Sequence, residues 1–313
     1  MPINPFIKNL NAGIVPLLTK LAYANKLRDY VGFKLFPIIT HPVSMGQIAK
    51  FREMLEYSDS RRAPGSNTKR VSLDKADFKN FFIEEFAREM GIDDSIIEEA
   101  LEPIKTLKLE EQALLSTLRN LLAIEMEVKQ ANLATNPNNF PNKTELIGTS
   151  KFDSPDSDPQ KIIDEAKECI ADETGVDPLT DITMVVSGKA YRALKDHPKL
   201  KEALSSQRTK VLSKKDLIEI LEVKDIVVGR AVKRVSGERT VIWGKNITLA
   251  YVPDKIESLK EPSFGVTVRK QSFPKVERYR DEPSISWMYR YRDALESLVI
   301  DGKSGYLIEN AVS

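Results

Sequence analysis

The longest stretch with a helical pattern of hydrophobic residues runs from Thr106 to about Leu133. Apolar residues recur there at helical spacing, and neither glycine nor proline interrupts the stretch. This pattern predicts one amphipathic helix of roughly 40 Å, at 1.5 Å per residue. An ordinary long core helix would show the same pattern. The apolar stripe consists of Leu107, Leu114, Leu118, Leu121, Leu122 and Val128.

The segment from 151 to 262 alternates between helix and strand patterns, as an α/β unit does. Asp158-Pro159 predicts the start of a helix that ends by Gly175, and Ser213 is the expected cap of another helix. Ile182–Val186 is a short apolar run of the kind found in a buried strand. Further strands are predicted at 225–233 and 240–252.

The last 50 residues are mostly strand-like, and their apolar residues lie on one face of the strands. Trp287, Tyr289 and Tyr291 alternate with polar residues, so one face of that strand has to be covered. The 106–133 helix carries a stripe long enough to cover it. We therefore expect the C-terminal strands to pack along this helix, with Tyr289 and Leu118 in one domain and 151–262 inserted between the two pieces.

The first 45 residues have too little apolar surface to fold alone. Prolines at 16, 37 and 42 predict an extended arm over residues 1–45, with a few helical turns between Leu17 and Leu27. A polar turn at 58–70 contains Pro64-Gly65 and separates two segments that can form strands.

The second of these segments is ambiguous between helix and strand. Phe78, Phe82, Phe86 and Met90 recur every four residues, which suits a helix face. Because four is also a multiple of two, a strand would place all four on one side. The neighbouring residues favour a helix by local propensity.

The composition is that of a folded protein with balanced charge. Of its 313 residues 41% are hydrophobic and 30% charged, and 47 basic residues oppose 46 acidic ones. A net charge of +1 argues against a dedicated nucleic-acid binder, which needs a basic excess, but not against a container for nucleic acid. No apolar run approaches the ~20 residues of a membrane helix. The N-terminus lacks the pattern of a signal peptide, so we expect synthesis and folding in a cytoplasm.

Residues that could carry catalysis or hold a metal or cofactor are few. The single cysteine, Cys169, excludes an internal disulfide and a cysteine-based zinc site and is expected to be a structural thiol. His197 is expected to be a cap or surface residue, and His41 to be exposed. Gly302-Lys303-Ser304 resembles the end of a phosphate-binding loop but lacks the required upstream glycine, so a hairpin turn is the better interpretation. We predict no catalytic residue, no metal site and no cofactor.

Several motifs occur in one order between about residues 60 and 310. They are Arg61-Arg62-Ala63-Pro64-Gly65 with Lys69-Arg70-Val71, the helix start Asp158-Pro159-Gln160-Lys161-Ile162-Ile163, Val185-Val186-Ser187-Gly188-Lys189-Ala190-Tyr191, Val227-Val228-Gly229-Arg230-Ala231, Trp243-Gly244-Lys245, Leu249-Ala250-Tyr251-Val252-Pro253, Val276-Glu277-Arg278-Tyr279-Arg280 and Gly305-Tyr306-Leu307-Ile308. Each motif is weak alone, but in register they resemble the major capsid proteins of tailed bacteriophages.

The resemblance implies an α+β fold of the Hong Kong 97 phage type. Its parts would be an N-terminal arm at 1–45, an extended hairpin loop at 46–92, a discontinuous peripheral domain with a long spine helix at 93–150 and 263–313, and an α/β axial domain at 151–262. The same resemblance favours a strand for the segment that contains Phe78 and Met90, against local propensity.

A shell subunit that builds hexamers and pentamers around double-stranded DNA is the function that the resemblance implies. It would enclose DNA without sequence-specific binding and would not contact a membrane. Only about 45 residues precede the hairpin, so we expect either a separate scaffolding protein or a chain that has already been processed, and Met1 favours the scaffolding protein. A portal and a decoration protein are the further partners that the resemblance implies. The virion is the expected location, after assembly in the host bacterial cytoplasm.

Two sets of residues are expected to matter most. The hairpin tip would touch a neighbouring subunit, and a structural core would join the spine helix to the terminal strands. The tip set is Arg61, Arg62, Pro64, Gly65, Lys69 and Arg70, and the core set is Leu114, Leu118, Leu121, Trp287 and Tyr289.

Three other functions compete with this one. An encapsulin-like nanocompartment shell would share the fold and enclose cargo enzymes. A small-molecule enzyme using 151–262 would need a polar cluster at the strand ends, and a DNA-binding module would need a basic face. Neither feature is visible in the sequence.

Overall fold

A computed structural model describes residues 13–14, 30–49, 61–62, 64, 67, 78–98, 103–203, 212–253 and 262–313 of the chain. The helices are α1 (Gly32–Leu35), α2 (Asp94–Glu98), α3 (Pro103–Ala134), α4 (Pro159–Thr174), α5 (Gly188–Asp196), α6 (Pro198–Ala203) and α7 (Lys214–Leu221). The strands are β1 (Gly13–Ile14), β2 (Ile38–His41), β3 (Met45–Ala49), β4 (Phe78–Phe82), β5 (Glu84–Asp93), β6 (Lys143–Glu145), β7 (Ile182–Ser187), β8 (Asp225–Gly229), β9 (Val232–Val235), β10 (Glu238–Val241), β11 (Ile247–Tyr251), β12 (Gly265–Lys270), β13 (Lys275–Asp281), β14 (Ser286–Val299) and β15 (Gly305–Glu309).

The larger sheet is built around the long strand β14. Its order is β1-β13-β14-β12-β2, and β5 also pairs with β14. All of these pairings are antiparallel except the parallel one between β12 and β2. The aromatic alternation that predicted a strand at 286–291 extends in the structure to one 14-residue strand. The hairpin, the arm and the C-terminal strands therefore share one sheet.

Helix α3 covers one face of this sheet. Leu118 and Tyr289 are both fully buried and belong to one hydrophobic cluster, together with Leu114, so the predicted packing of the terminal strands on the helix is confirmed. Trp287 is half-buried and packs against the same cluster.

Leu121 is a correction to the predicted core. Its side chain is 48% exposed, because the buried face of α3 passes through Leu118 and Leu122. A helix turns by about 100° per residue, so the adjacent residues Leu121 and Leu122 point in different directions. Leu122 lies on the buried face, and Leu121 points away from it. Leu118 and Leu122 are four residues apart and share the face that contacts β14.

The second sheet has the order β6-β15-β11-β7-β8. Helices α4, α5 and α7 pack on it through buried residues such as Ile163, Leu194 and Leu217. Asp158 and Ser213 accept hydrogen bonds from the first turns of α4 and α7, as predicted, and Gly175 ends α4 with a positive φ of 71°.

Two of its strands come from segments that we assign to the peripheral domain. β15 pairs with β11, and β6 pairs with β15, so 143–145 and 305–309 join the sheet of the 151–262 segment. The domain boundaries themselves stay a prediction.

The segment that contains Phe78 and Met90 forms strands, which confirms the prediction based on the resemblance. β4 pairs with β3, and β5 pairs with β14 over ten residues. Pairing with β14 outweighs the weak helical propensity of the segment. The four residues do not share one environment, however. Phe86 packs against the helix cluster, whereas Phe78 and Phe82 are exposed on the β3–β4 ribbon.

Part of the predicted hairpin tip can be placed. Arg61, Arg62 and Pro64 are exposed. The remaining tip residues, Gly65, Lys69 and Arg70, and the predicted helical turns between Leu17 and Leu27 lie outside the described residues.

Candidate assembly surfaces

The β3–β4 ribbon has one buried and one exposed face. Ile48 and Phe81 on the buried face are 3% and 5% exposed and join the core beneath the larger sheet. Met45, Phe78 and Phe82 on the other face are 65%, 55% and 60% exposed. Met45 lies directly opposite Phe82, and the Gln47–Asn80 hydrogen bond of 3.0 Å lies between this pair and Phe78. We call Met45, Phe78 and Phe82 the ribbon face.

Large apolar side chains side by side on an exposed strand pair are unfavourable in water. The ribbon is held in place by its other face, so the ribbon face cannot turn inward without losing Ile48 and Phe81 from the core. Its geometry suits burial against another molecule.

The strand that continues the ribbon is fastened to the larger sheet by ion pairs. Arg290 on β14 binds Glu89 on β5 at 2.9 Å, and Arg292 binds Glu85 at 2.7 Å. Both arginines also pair with Glu277 on β13. The hydrogen bond from Arg292 holds the pKa of Glu85 below its usual range. These exposed pairs add little stability individually, but they fix the register of β5 on β14.

A buried carboxylate joins three distant segments of the chain. Glu127 on α3 is 1% exposed. It accepts hydrogen bonds from the backbone N–H groups of Val31 and Gly32 at 3.0 and 2.9 Å, and from Trp243 Nε1 at 2.6 Å. Burial raises the pKa of Glu127, and the three donors oppose that rise. The arm, the spine helix and the loop before β11 therefore meet at one side chain.

The histidines and the cysteine have structural surroundings. His197 is the C-cap residue of α5, which confirms the predicted cap, but it is buried, with only 3% exposed, and does not lie on the surface. Its Nε2 lies 3.0 Å from Ser157 Oγ and 3.1 Å from the Ser154 carbonyl oxygen. His41 is half-buried against the Phe81 ring rather than exposed. Burial, together with Glu173 and Asp172, raises the pKa of Cys169, which disfavours a reactive thiolate.

The phosphate-loop-like segment forms a short 3₁₀ turn between β14 and β15. It is not the predicted hairpin turn, because these two strands lie in different sheets. Lys303 within it binds Glu173 at 2.6 Å. Among the described residues, no group of three acidic, histidine or cysteine side chains could hold a metal ion. The helices of these ranges lack the combination of length and hydropathy that a membrane-spanning helix requires.

Sequence reasoning missed the ribbon face and Glu127. Met45 was not singled out because a lone methionine gives no signal, and its pairing with Phe82 depends on a register that joins residues 37 positions apart. Glu127 had a weak signal, because it lies between Ala123 and Gln130 on the buried side of α3.

Comparisons with known sequences point to one class of protein. A family model described as phage major capsid protein E matches residues 129–260. The major capsid protein of Burkholderia phage BcepMu is 32% identical over 301 residues, which cover 94% of this chain and 95% of that protein.

Solved structures show the same fold. A phage-related protein from Bordetella bronchiseptica RB50 matches with a TM-score of 0.77 and 30% identity, covering 96% of this chain and 98% of that one. The mature capsid of bacteriophage PhiM1 matches with a TM-score of 0.55 and 13% identity over 91% of this chain and 88% of that one, which bears on the fold alone.

These similarities confirm the α+β fold of the Hong Kong 97 type. They leave the encapsulin-like alternative as the weaker one. An exposed apolar ribbon face, on a two-stranded ribbon that packs against the larger sheet, fits a subunit that is completed by its neighbours. With a 32% identical relative matched almost from end to end, the chain belongs to the family of phage major capsid proteins.

Proposed function

We propose that this chain assembles through hexamers and pentamers into an icosahedral head shell that encloses the double-stranded DNA of a tailed phage or prophage. The shell works by binding and not by catalysis. Stability then belongs to the lattice, since surfaces that are exposed in one subunit are buried between subunits.

The ribbon face is the observation that carries this proposal. Its three large apolar side chains are more than half exposed, and the adjoining strand β5 is fixed rigidly to β14. A rigid base lets the ribbon reach beyond its own subunit and bury the ribbon face on a neighbour. The hairpin tip, with Arg61, Arg62 and Pro64 exposed and Gly65, Lys69 and Arg70 beyond them in sequence, is proposed to extend the same contact.

The remaining partners follow from what a container requires. A net charge of +1 suits a wall that encloses DNA without condensing it or reading its sequence. A separate scaffolding protein directs assembly in the host bacterial cytoplasm. A portal and a decoration protein complete the virion.

Two sheets joined by helix α3 support a division into a peripheral and an axial domain. The peripheral domain takes 93–150 and 263–313, the axial domain takes 151–262, and the arm (1–45) and hairpin (46–92) extend from them. Strands β6 and β15 bring the peripheral segments into contact with the axial sheet.

The test replaces the ribbon face by serine, with Met45→Ser, Phe78→Ser and Phe82→Ser combined. We expect particle yield, measured by sedimentation, to fall at least tenfold while the melting temperature stays within a few degrees. The matched control removes the polar pair of the same face, Gln47→Ala with Asn80→Ala, and keeps normal yield. Wild-type yield from the triple variant would refute a ribbon-mediated lattice.

A further inference from the structure

The β9–β10 hairpin is exposed on both faces. It follows the edge strand β8, turns at Ser236 and Gly237, which both have positive φ, and returns through β10. Every described residue from Arg234 to Val241 is exposed. An isolated two-stranded ribbon is marginally stable in water. This one is held at its base by the Ile242 N–H bond to the Ala231 carbonyl oxygen and by the buried Trp243.

One face of this hairpin combines apolar and basic side chains. Val232 lies opposite Val241, and Arg234 lies opposite Arg239 on the same face. The two valines are 39% and 41% exposed. Like charges directly opposite each other destabilise a strand pair, so the Arg234–Arg239 pair weakens the isolated hairpin.

Charge around the hairpin is not compensated by the part of the chain that the structure describes. Residues 230–241 contain four basic residues and one acidic residue. Among the ion pairs and hydrogen bonds of the described residues, neither Arg234 nor Arg239 takes part in one. A partner that supplies negative charge would remove the repulsion and cover the valines.

Helix α4 presents the complementary charge. Residues 159–174 contain five acidic and two basic residues. Glu165, Glu168 and Asp172 are exposed and, at spacings of three and four, share one face. Glu165 lies 3.8 Å from Lys161, whereas Glu168 and Asp172 form no ion pair with any described residue. The imbalance on α4 is equal and opposite to that on the hairpin.

We propose that the Arg234–Arg239 face of the β9–β10 hairpin docks on the Glu168–Asp172 face of α4 in a second copy of this chain. This deepens the proposed function and rests on it, since a shell brings copies together. Two different surfaces of one subunit make a head-to-tail contact, and such contacts close into rings when the rotation allows. Arginine with flanking apolar side chains is typical of protein interfaces. A nucleic-acid phosphate backbone would pair with the arginines but would leave the two valines without an apolar partner.

The experiment is a charge exchange in the full chain. Arg234→Glu with Arg239→Glu, or Glu168→Lys with Asp172→Lys, places like charges across the contact, and either pair should lower the yield of capsomers and shells at least tenfold. All four changes in one chain restore opposite charges, and we expect the yield to return to within about threefold of wild type. If these four residues only stabilised the fold of their own subunit, combining the two double variants would not restore the yield. Sedimentation velocity measures the yield.

Controls separate the contact from folding and from overall charge. Lys108→Glu with Lys215→Glu makes the same change of charge at two exposed positions elsewhere and keeps normal yield. Each variant's melting temperature should stay within a few degrees of wild type. If the reversed pair fails to fold, Arg234→Gln with Arg239→Gln replaces it. A reduced yield that depends less on salt concentration than the wild-type yield supports the contact, and a wild-type yield with unchanged salt dependence contradicts it.

Four outcomes would overturn the inference. If both charge-reversed double variants assemble normally, the proposed contact does not exist, but the proposed shell function is unaffected. Failure of the fourfold variant to recover shows that α4 is not the partner. Shells that form normally but retain less DNA identify nucleic acid as the occupant. A wild-type chain that never leaves the monomer state overturns the shell function and this contact together.

Discussion

Leu118 and Leu121 lie three residues apart on α3 but have opposite environments. Leu118 is fully buried against Tyr289, and Leu121 is 48% exposed. Leu118→Ala should lower the free energy of unfolding by roughly 2–5 kcal/mol, because it leaves a cavity between helix and sheet. Leu121→Ala should change it by less than about 1 kcal/mol. Urea unfolding measures both, and equal losses would contradict the packing.

Glu127 gives a pH-dependent prediction at the same scale. Burial raises the pKa of Glu127 above 4.5 in the folded chain. The pKa of this carboxyl is therefore higher in the folded chain than in the unfolded chain. The stability that the group contributes is complete at pH values below its pKa in the unfolded chain, and it is lost as pH rises through its pKa in the folded chain. Glu127→Gln removes this titration, so any stability deficit of the variant should narrow as pH rises from 4.5.

Amide hydrogen exchange at Val31 and Gly32 measures this effect locally, since both donate to Glu127. The ratio of variant to wild-type exchange rates should fall with rising pH. Thr144→Val is the control, because its hydroxyl lies 2.5 Å from the Tyr306 hydroxyl and does not titrate in this range. If the ratio of variant to wild-type exchange rates instead increased with pH, ionisation of Glu127 would stabilise the folded chain, which contradicts the prediction.

At the scale of elements, the hairpin tip supplies a prediction that separates assembly from folding. Arg61 and Arg62 are exposed, so Arg61→Ala with Arg62→Ala should change the free energy of unfolding by about 0.5 kcal/mol or less. Shell assembly should nevertheless be impaired, because the two charges are proposed to contact a neighbouring subunit. Arg192→Ala with Lys215→Ala serves as control, and electron microscopy counts the particles. Undiminished particle numbers from the tip variant would refute the tip's role.

Elements with strong local signals could be predicted from sequence. Helix α4 has a capping aspartate, a proline at its first position and a terminal glycine, and each acts as expected. Helix α3 was predicted within three residues of its observed start and one of its end. Its inward face was harder to define, because Leu121 and Leu122 are adjacent and only tertiary packing decides which one is buried.

The strands at 78–93 could not be derived from local sequence. Their residues favour a helix, and the strand state depends on β3 and β14, which are far away in the chain. The resemblance to capsid proteins supplied what propensity could not. The same limit explains why β15 was placed with the terminal strands, although its partner is β11.

For the whole molecule, two sheets, one long helix and an exposed ribbon form a subunit with more surface to bury than it can bury alone. The described part of that surface is the ribbon face, whose side chains Met45, Phe78 and Phe82 are 65%, 55% and 60% exposed. Large apolar side chains side by side are unfavourable in water, which fits a chain whose ribbon face is covered by a neighbouring copy.

Negative-stain electron microscopy of the purified wild-type chain, combined with light scattering, tests the central claim most directly. We predict rings with five- and six-fold symmetry or closed shells, and a mass far above that of one chain. A uniform, compact and stable monomer of 35.3 kDa would contradict the account.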